Sequence, residues 1–201
     1  MKTLYILLTR SPSVVSKMIH FTTSEPYTHS SLAFSGDLSP LYSFARKHTN
    51  LPLPAGFKRE VLQEGFLRKH DKMPCAVYAM EVSDEAFGKT KASVLTMMES
   101  KDIYRYNLLG LVFCRLQIPY ERENRYFCSE FISTVLQNSG AAELPKPPSL
   151  FHPVDFTTLP NTTLLYDGNV CELRELLTAQ PFCADNASET APELRVAAAE
   201  N

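Results

Sequence analysis

The chain has 201 residues, which at about 150 residues per domain leaves room for one full domain and a short appendage. Hydrophobic residues make up 44% and charged residues 21%, a globular balance that excludes disordered, collagenous and coiled-coil classes. With 20 Lys+Arg against 22 Asp+Glu the formal net charge is −2, so no overall basic field exists to gather nucleic acid or anionic lipid.

Nucleic-acid partners are therefore not expected. The chain holds only 7 glycines and no G-x-G-x-x-G or G-x-x-x-x-G-K-[ST] string, which removes the usual phosphate-cradling loops. The five cysteines, Cys75, Cys114, Cys128, Cys171 and Cys183, are odd in number, irregularly spaced and without a C-x-x-C pair, so neither a zinc ribbon nor a disulfide framework fits. The short apolar run near Met1 is cut by Arg10, and no later stretch approaches a membrane span. The expectation is a cytoplasmic protein with reduced thiols and no stable membrane insertion.

Thr3 to Thr9 is short and apolar between polar flanks, the pattern of a buried strand. Ser11-Pro12 then supplies an N-cap hydroxyl and a first-turn proline, and Val14, Val15, Met18 and Ile19 follow at helical spacing. Tyr27 to Phe34 and Leu41 to Arg46 are strand-like runs around Ser35-Gly36-Asp37 and form a predicted hairpin. Asn50 to Gly56 is a proline-punctuated loop, Cys75 to Val82 a strand, and Asp84 to Glu99 a helix. Asn107 to Leu116 is apolar, and Phe127 to Asn138 forms a helix that stops at Ser139-Gly140. Pro145 to Pro153 is irregular, Thr163 to Tyr166 a strand and Cys171 to Thr178 a last helix. This divides the chain into a domain over 1–178 and a polar, frayed tail over 179–201.

Cys128 falls where the polar run Glu121 to Arg125 gives way to a helix. Unpaired N–H groups and the positive end of the helix dipole stabilise a thiolate there and can also receive an oxyanion. The competing reading is a small buried hydrophobe packed with Phe131, Ile132 and Val135. A nucleophilic thiol needs a base, and His29 is the one histidine of five inside a strand-like run, where a rigid backbone can present it across a cleft. It can equally be a structural histidine. His152, in the proline-rich loop, is the reserve candidate; His20 suits a helix C-terminus, and His48 and His70 lie in solvated basic stretches.

The order of these segments carries a resemblance. Tyr27-Thr28-His29-Ser30-Ser31-Leu32-Ala33, followed about a hundred residues later by Phe127-Cys128-Ser129-Glu130-Phe131-Ile132, resembles the circularly permuted branch of the NlpC/P60 superfamily, in which His precedes Cys. Pro147 to Phe156 is similar to the segment that follows the cysteine helix in YiiX-like proteins of that branch, which also includes the lecithin:retinol acyltransferase-like group. Leu41 to Lys47 and Tyr104 to Gly110 resemble segments of a small bacterial group within it.

The resemblance implies an α+β, permuted papain-like fold, with Cys128 at a helix start packed against an antiparallel sheet carrying His29. It implies Cys128 as nucleophile and His29 as base, with a third polar group on the next strand. There the window Leu41 to Phe44 offers only Tyr42 and Ser43, and Ser43 is the choice: a hydroxyl can fix the imidazole tautomer but cannot stabilise an imidazolium by charge. Tyr42, Arg46, Tyr106 and Asn107 are the substrate-binding candidates. Glu130 is read as an acid complementing the helix dipole. Arg46, Lys47, Lys58 and Arg59, with Phe44 and Phe57, form a basic stretch that can receive a carboxylate or simply face solvent.

The implied activity is cysteine-dependent acyl transfer on a peptide, amide or other acyl-containing substrate, with no cofactor and no metal. The alternatives are a non-catalytic binding module on the same fold and a lipid-directed thioesterase or acyltransferase.

Overall fold

A computed structural model describes residues 1–10, 25–46 and 55–182. The elements in chain order are β1 (Lys2–Thr9), β2 (His29–Ala33), β3 (Leu41–Arg46), β4 (Ala55–Glu60), α1 (Gly65–Lys69), β5 (Pro74–Val82), α2 (Asp84–Glu99), β6 (Arg105–Tyr106), α3 (Leu108–Arg115), β7 (Arg125–Tyr126), α4 (Cys128–Ser139), β8 (Thr162–Asn169) and α5 (Val170–Ala179), with 3-10 turns at Pro148–Leu150 and Pro153–Thr158. The strands form one eight-stranded sheet in the order β7-β6-β4-β3-β2-β1-β5-β8. All pairings are antiparallel except β6 with β7, which run parallel.

The continuous apolar run of β1 reflects its central place in the sheet, covered on both faces. Leu4, Ile6 and Leu8 point to one side, where they meet Phe87 and Val94 of α2 and Phe131, Ile132 and Leu136 of α4. Tyr5 and Leu7 point to the other, with Leu67 of α1 and Val170, Leu173 and Leu177 of α5. Period-two side-chain alternation in a strand buried on both faces produces such an uninterrupted hydrophobic reading.

The helix boundaries follow their capping residues. The Ser83 hydroxyl accepts the Ala86 N–H at 3.1 Å, and Asp84 and Glu85 sit in the first turn of α2. Gly140 ends α4 in the left-handed region at φ 72°, the conformation glycine adopts without a Cβ clash. The two long helices are joined by a buried hydroxyl pair, Thr90 Oγ1 donating to Ser139 Oγ at 2.7 Å.

The hairpin, the β5 strand, α2, α4, β8 and α5 fall where the sequence places them, within a few residues. The helix expected after Ser11 lies outside the described residues, as do 50–54 of the proline-punctuated loop and 183–201 of the expected tail. Two expectations change. Ala55 and Gly56, read as loop, open strand β4, which pairs with β3 over Leu41↔Glu60 to Arg46↔Ala55. Residues 180–182, assigned to the tail, dock on the domain: the Phe182 N–H donates to Gly36 O at 3.0 Å and its ring stacks 6.4 Å from Tyr5. The approach is so close that a Cβ on Gly36 would stand 1.5 Å from the Phe182 carbonyl oxygen.

The α4 seat is an aromatic cluster. Phe131, fully buried, lies 5.4 Å from the Phe44 ring and 4.9 Å from the Phe57 ring, centroid to centroid. Replacing Phe131 with Ala removes both contacts and leaves a cavity, so Phe131→Ala is expected to lower the unfolding free energy by about 3–5 kcal/mol, read from the urea midpoint at unchanged slope.

Candidate active site

Cys128 opens α4, with extended backbone at Phe127 just before it. The helix start is fixed from both sides. The Phe127 N–H donates to Glu130 Oε2 at 3.1 Å, and the Ser129 hydroxyl donates to Phe151 O at 2.6 Å, anchoring the proline-rich segment beneath the first turn. Glu130 therefore stands in the first helical turn, as the sequence reading has it, and in addition caps the Phe127 N–H. Burial pushes its carboxyl up to about 7, against the Phe127 N–H and the Asn107 amide, which hold it down.

His29 is the first residue of β2, and its imidazole and the Cys128 thiol are near enough for each to act on the other's charge. The other side of the ring is equally defined. Nε2 lies 3.3 Å from Ser43 Oγ, 3.4 Å from Ser31 Oγ and 3.7 Å from Glu60 Oε2. The Ser43 hydroxyl spends its proton on Ser30 O at 2.7 Å, so toward His29 it presents a lone pair. A hydroxyl acceptor and a carboxylate both call for a proton on Nε2, which leaves Nδ1 as the nitrogen for the thiol.

The sheet register explains the convergence. β2 pairs with β3 at Leu32↔Tyr42, which sets Ser31 and Ser43 side by side, and Leu41↔Glu60 and Ser43↔Lys58 bring Glu60 and Lys58 onto the same face from β4. Lys58 Nζ stands 3.5 Å from Glu60 Oε1.

The charges lock together. Burial opposes a charged His29, but the Cys128 thiolate and then the Glu60 carboxylate outweigh it and raise the imidazole to about 10. Burial likewise opposes a charged Cys128, and the charge of the neighbouring imidazole overcomes it and holds the thiol below its ordinary value. Glu60 is held below the carboxylate range, its burial offset by His29 and Lys58. Each group therefore draws the other toward its charged form. Cys128 keeps 4% of its surface and the His29 side chain 18%, so the imidazole carries most of the pair's contact with solvent.

The structure thus brings together Cys128, His29 and Ser43, and adds Glu60, which the sequence reading missed because it sought the third group on β3 alone. The available signal was the alternation Phe57-Lys58-Arg59-Glu60, obscured by the adjoining prolines. Burial, then the charges of Cys128 and Glu130, hold the Tyr106 hydroxyl well above its ordinary range.

Two substrate-binding candidates are corrected. Asn107 is fully buried: its carbonyl caps α3 by accepting the Gly110 N–H at 3.0 Å, and its amide donates to Glu130 at 3.2 Å, so it joins two helix starts instead of lining a groove. Tyr42 is 7% exposed and packs between Phe34 and Phe57 in the core. The Arg46 side chain lies outside the described residues. Of the basic stretch, Phe44 and Phe57 are buried, Lys58 serves Glu60 and Arg59 is exposed, while Lys47 lies outside the described residues.

The reserve base, His152, belongs to another cluster. Its Nε2 lies 3.4 Å from Cys114 Sγ and its Nδ1 3.0 Å from Glu25 Oε1. Hydrogen bonds from Cys114 and Glu25 outweigh burial and raise it to about 9. A histidine with a folded-state pKa above its unfolded 6.5 stabilises the fold fully below about pH 6.5 and loses that contribution as pH climbs through about 9. The stability difference between wild type and His152→Gln is therefore expected to shrink from pH 6.5 to pH 9, measured by urea unfolding across that window.

No protein-family model matches the chain, and no curated protein matches it. Among solved structures, the crystal structure of metalloprotein yiiX from Escherichia coli O157:H7 matches with a TM-score of 0.46 and 16% identity, covering 83% of this chain and 97% of that one, a distant likeness in fold. Among the described residues, no group of three or more His, Cys, Asp or Glu side chains is placed to hold a metal ion, and no helix is long and apolar enough to cross a membrane.

Proposed function

We propose that the chain is a cysteine hydrolase of permuted papain-like architecture, acting by acyl transfer through Cys128. The observation that carries this reading is a thiol at a helix start, electrostatically paired with an imidazole whose Nε2 faces a buried carboxylate and an oriented hydroxyl. Core packing alone asks for no such arrangement. A buried cysteine that only fills space is served best by apolar neighbours, whereas this one faces a charged ring.

In the proposed reaction the Cys128 thiolate attacks the substrate carbonyl carbon, forming the S–C bond as the carbonyl electrons move to oxygen. Peptide N–H groups at the start of α4 receive that oxyanion, with the protonated Tyr106 hydroxyl close by. His29 gives its proton to the departing amine, alcohol or thiol. It then takes a proton from water as the water attacks the acyl-enzyme, releasing acid and restoring the ion pair. Glu60 stabilises the imidazolium in both half-reactions and Ser43 holds the ring's orientation, roles a hydroxyl alone cannot combine.

A specific feature favours an acyl substrate with an apolar body as a second form of this reading. Helix α3, which follows directly on Tyr106 and Asn107, leaves Leu108, Leu109, Val112 and Leu116 exposed on one stripe. Esters of rising chain length are expected to be hydrolysed with rising kcat/KM if that stripe meets the substrate, and Val112→Asp would flatten the series.

Cys128 is expected to react with iodoacetamide at pH 6 well above the rate of a free peptide cysteine, as followed by mass spectrometry. His29→Ala is expected to cost about 10²–10⁴ in turnover. A Cys128 that labels no faster than a peptide thiol, with His29→Ala unchanged, overturns the proposal. The imidazolium proton is needed for the leaving group, so activity is expected to fall as pH rises through about 10, and Glu60→Gln to move that limb to lower pH.

A further inference from the structure

Outside the site described above, a thiol, an imidazole and a carboxylate stand in line a second time. His152 Nε2 lies 3.4 Å from Cys114 Sγ, and its Nδ1 lies 3.0 Å from Glu25 Oε1. The three come from separate parts of the chain: Cys114 from the last turn of α3, His152 from the proline-rich segment after α4, and Glu25 from the stretch that leads into β2. Cys114 is 2% exposed and the His152 side chain 11%. The last turn of a helix presents carbonyl groups in place of N–H donors, so this thiol lacks the oxyanion site a second nucleophile would need. A buried ion pair is also a poor source of stability, because desolvation offsets most of its attraction, and its best-attested use is to fix the register of the parts it joins.

The parts joined here are the two carriers of the proposed reaction. On the imidazole side, Glu25 lies four residues before His29, and the stretch between them is held to the end of β1. The Thr28 N–H donates to Thr9 O at 3.0 Å, and Arg10 Nε donates to Pro26 O at 3.0 Å. On the sulfur side, Phe151, next to His152, accepts through its carbonyl the hydroxyl of Ser129, next to Cys128, at 2.6 Å. The His152 N–H donates to Asp155 Oδ2 at 2.6 Å, and Lys146 pairs with the same oxygen at 2.6 Å, so the backbone at the bridge is fixed. Helix α3 gives a second route. It ends at the bridge through Cys114 and begins at Asn107, whose amide donates to Glu130 at 3.2 Å, and Glu130 in turn accepts the Phe127 N–H at 3.1 Å.

We propose that His152 is a positioning residue: holding Glu25 on one nitrogen and Cys114 on the other, it ties the chain entering β2 to the segment and helix that brace the start of α4, and so fixes how closely His29 meets Cys128. This rests on the hydrolase reading of that pair. The bridge touches neither reacting group and acts only through the backbone that carries them.

The test is the pH midpoint of Cys128 alkylation by iodoacetamide in the full chain, followed on the Cys128 peptide by mass spectrometry, because that midpoint reads how strongly the imidazole acts on the sulfur. Glu25→Gln and His152→Gln are each expected to move it up by about one unit, so that well below it the reactive fraction falls about tenfold. The double variant is expected to move it no further than the larger single shift, as partners in one bridge do. Asp71→Asn is the control: it breaks the 3.5 Å ion pair with Arg174 of α5, on the opposite face of the sheet, and is expected to leave the midpoint in place. Should His152→Gln fail to fold, Glu25→Gln decides alone, since it keeps the shape of a side chain that is 17% exposed. A wild-type midpoint in the bridge variants, or an equal shift in Asp71→Asn, overturns the positioning role and leaves the hydrolase reading intact. A wild-type Cys128 that titrates like a free cysteine overturns both.

Discussion

The site depends on one electrostatic bargain between two groups that burial alone would leave neutral. A thiol and an imidazole removed from water each favour the uncharged form, yet side by side each supplies the opposite charge the other lacks. The pair holds because neither charge is left to its partner alone. Glu60 and Ser43 stand behind the imidazole, and the first turn of α4 carries the sulfur. Removing any one of these supports shifts both proton affinities together.

That coupling sets the architecture's main demand, which is to bring the end of a helix into a gap in a sheet. The sheet meets it by stopping the β2–β3 ladder short, so that the Ser43 hydroxyl takes up the Ser30 carbonyl a neighbouring strand would have used. The helix meets it through the aromatic seat of Phe44, Phe57 and Phe131, with the Thr90–Ser139 pair tying its far end to α2. Core packing and site geometry are here the same set of contacts.

Much of this was legible in the residues. Ser83 and Gly140 marked helix boundaries by capping chemistry that acts over a few residues, and the unbroken apolar reading of β1 announced a strand buried on both faces. The place of Cys128 at a helix start and of His29 on a strand came from equally local patterns. Glu60 did not, because its value arises from strand register: it matters only once β4 lies beside β3, and prolines masked β4. Asn107 and Tyr42 were misplaced for the converse reason. Their side chains look fit for a groove, but a buried amide between two helix starts and a ring between two phenylalanines are products of tertiary packing that no short window reveals.

The imidazole and its supports, at positions 29, 43 and 60, sit on three successive strands, whereas the sulfur arrives from position 128. During synthesis and folding, that thiol emerges with the modest acidity of any unstructured cysteine. On the hydrolase reading proposed above, it becomes a strong nucleophile only when its helix seats against the strands, so that assembly itself arms the chemistry and a nascent or damaged chain carries a comparatively inert thiol.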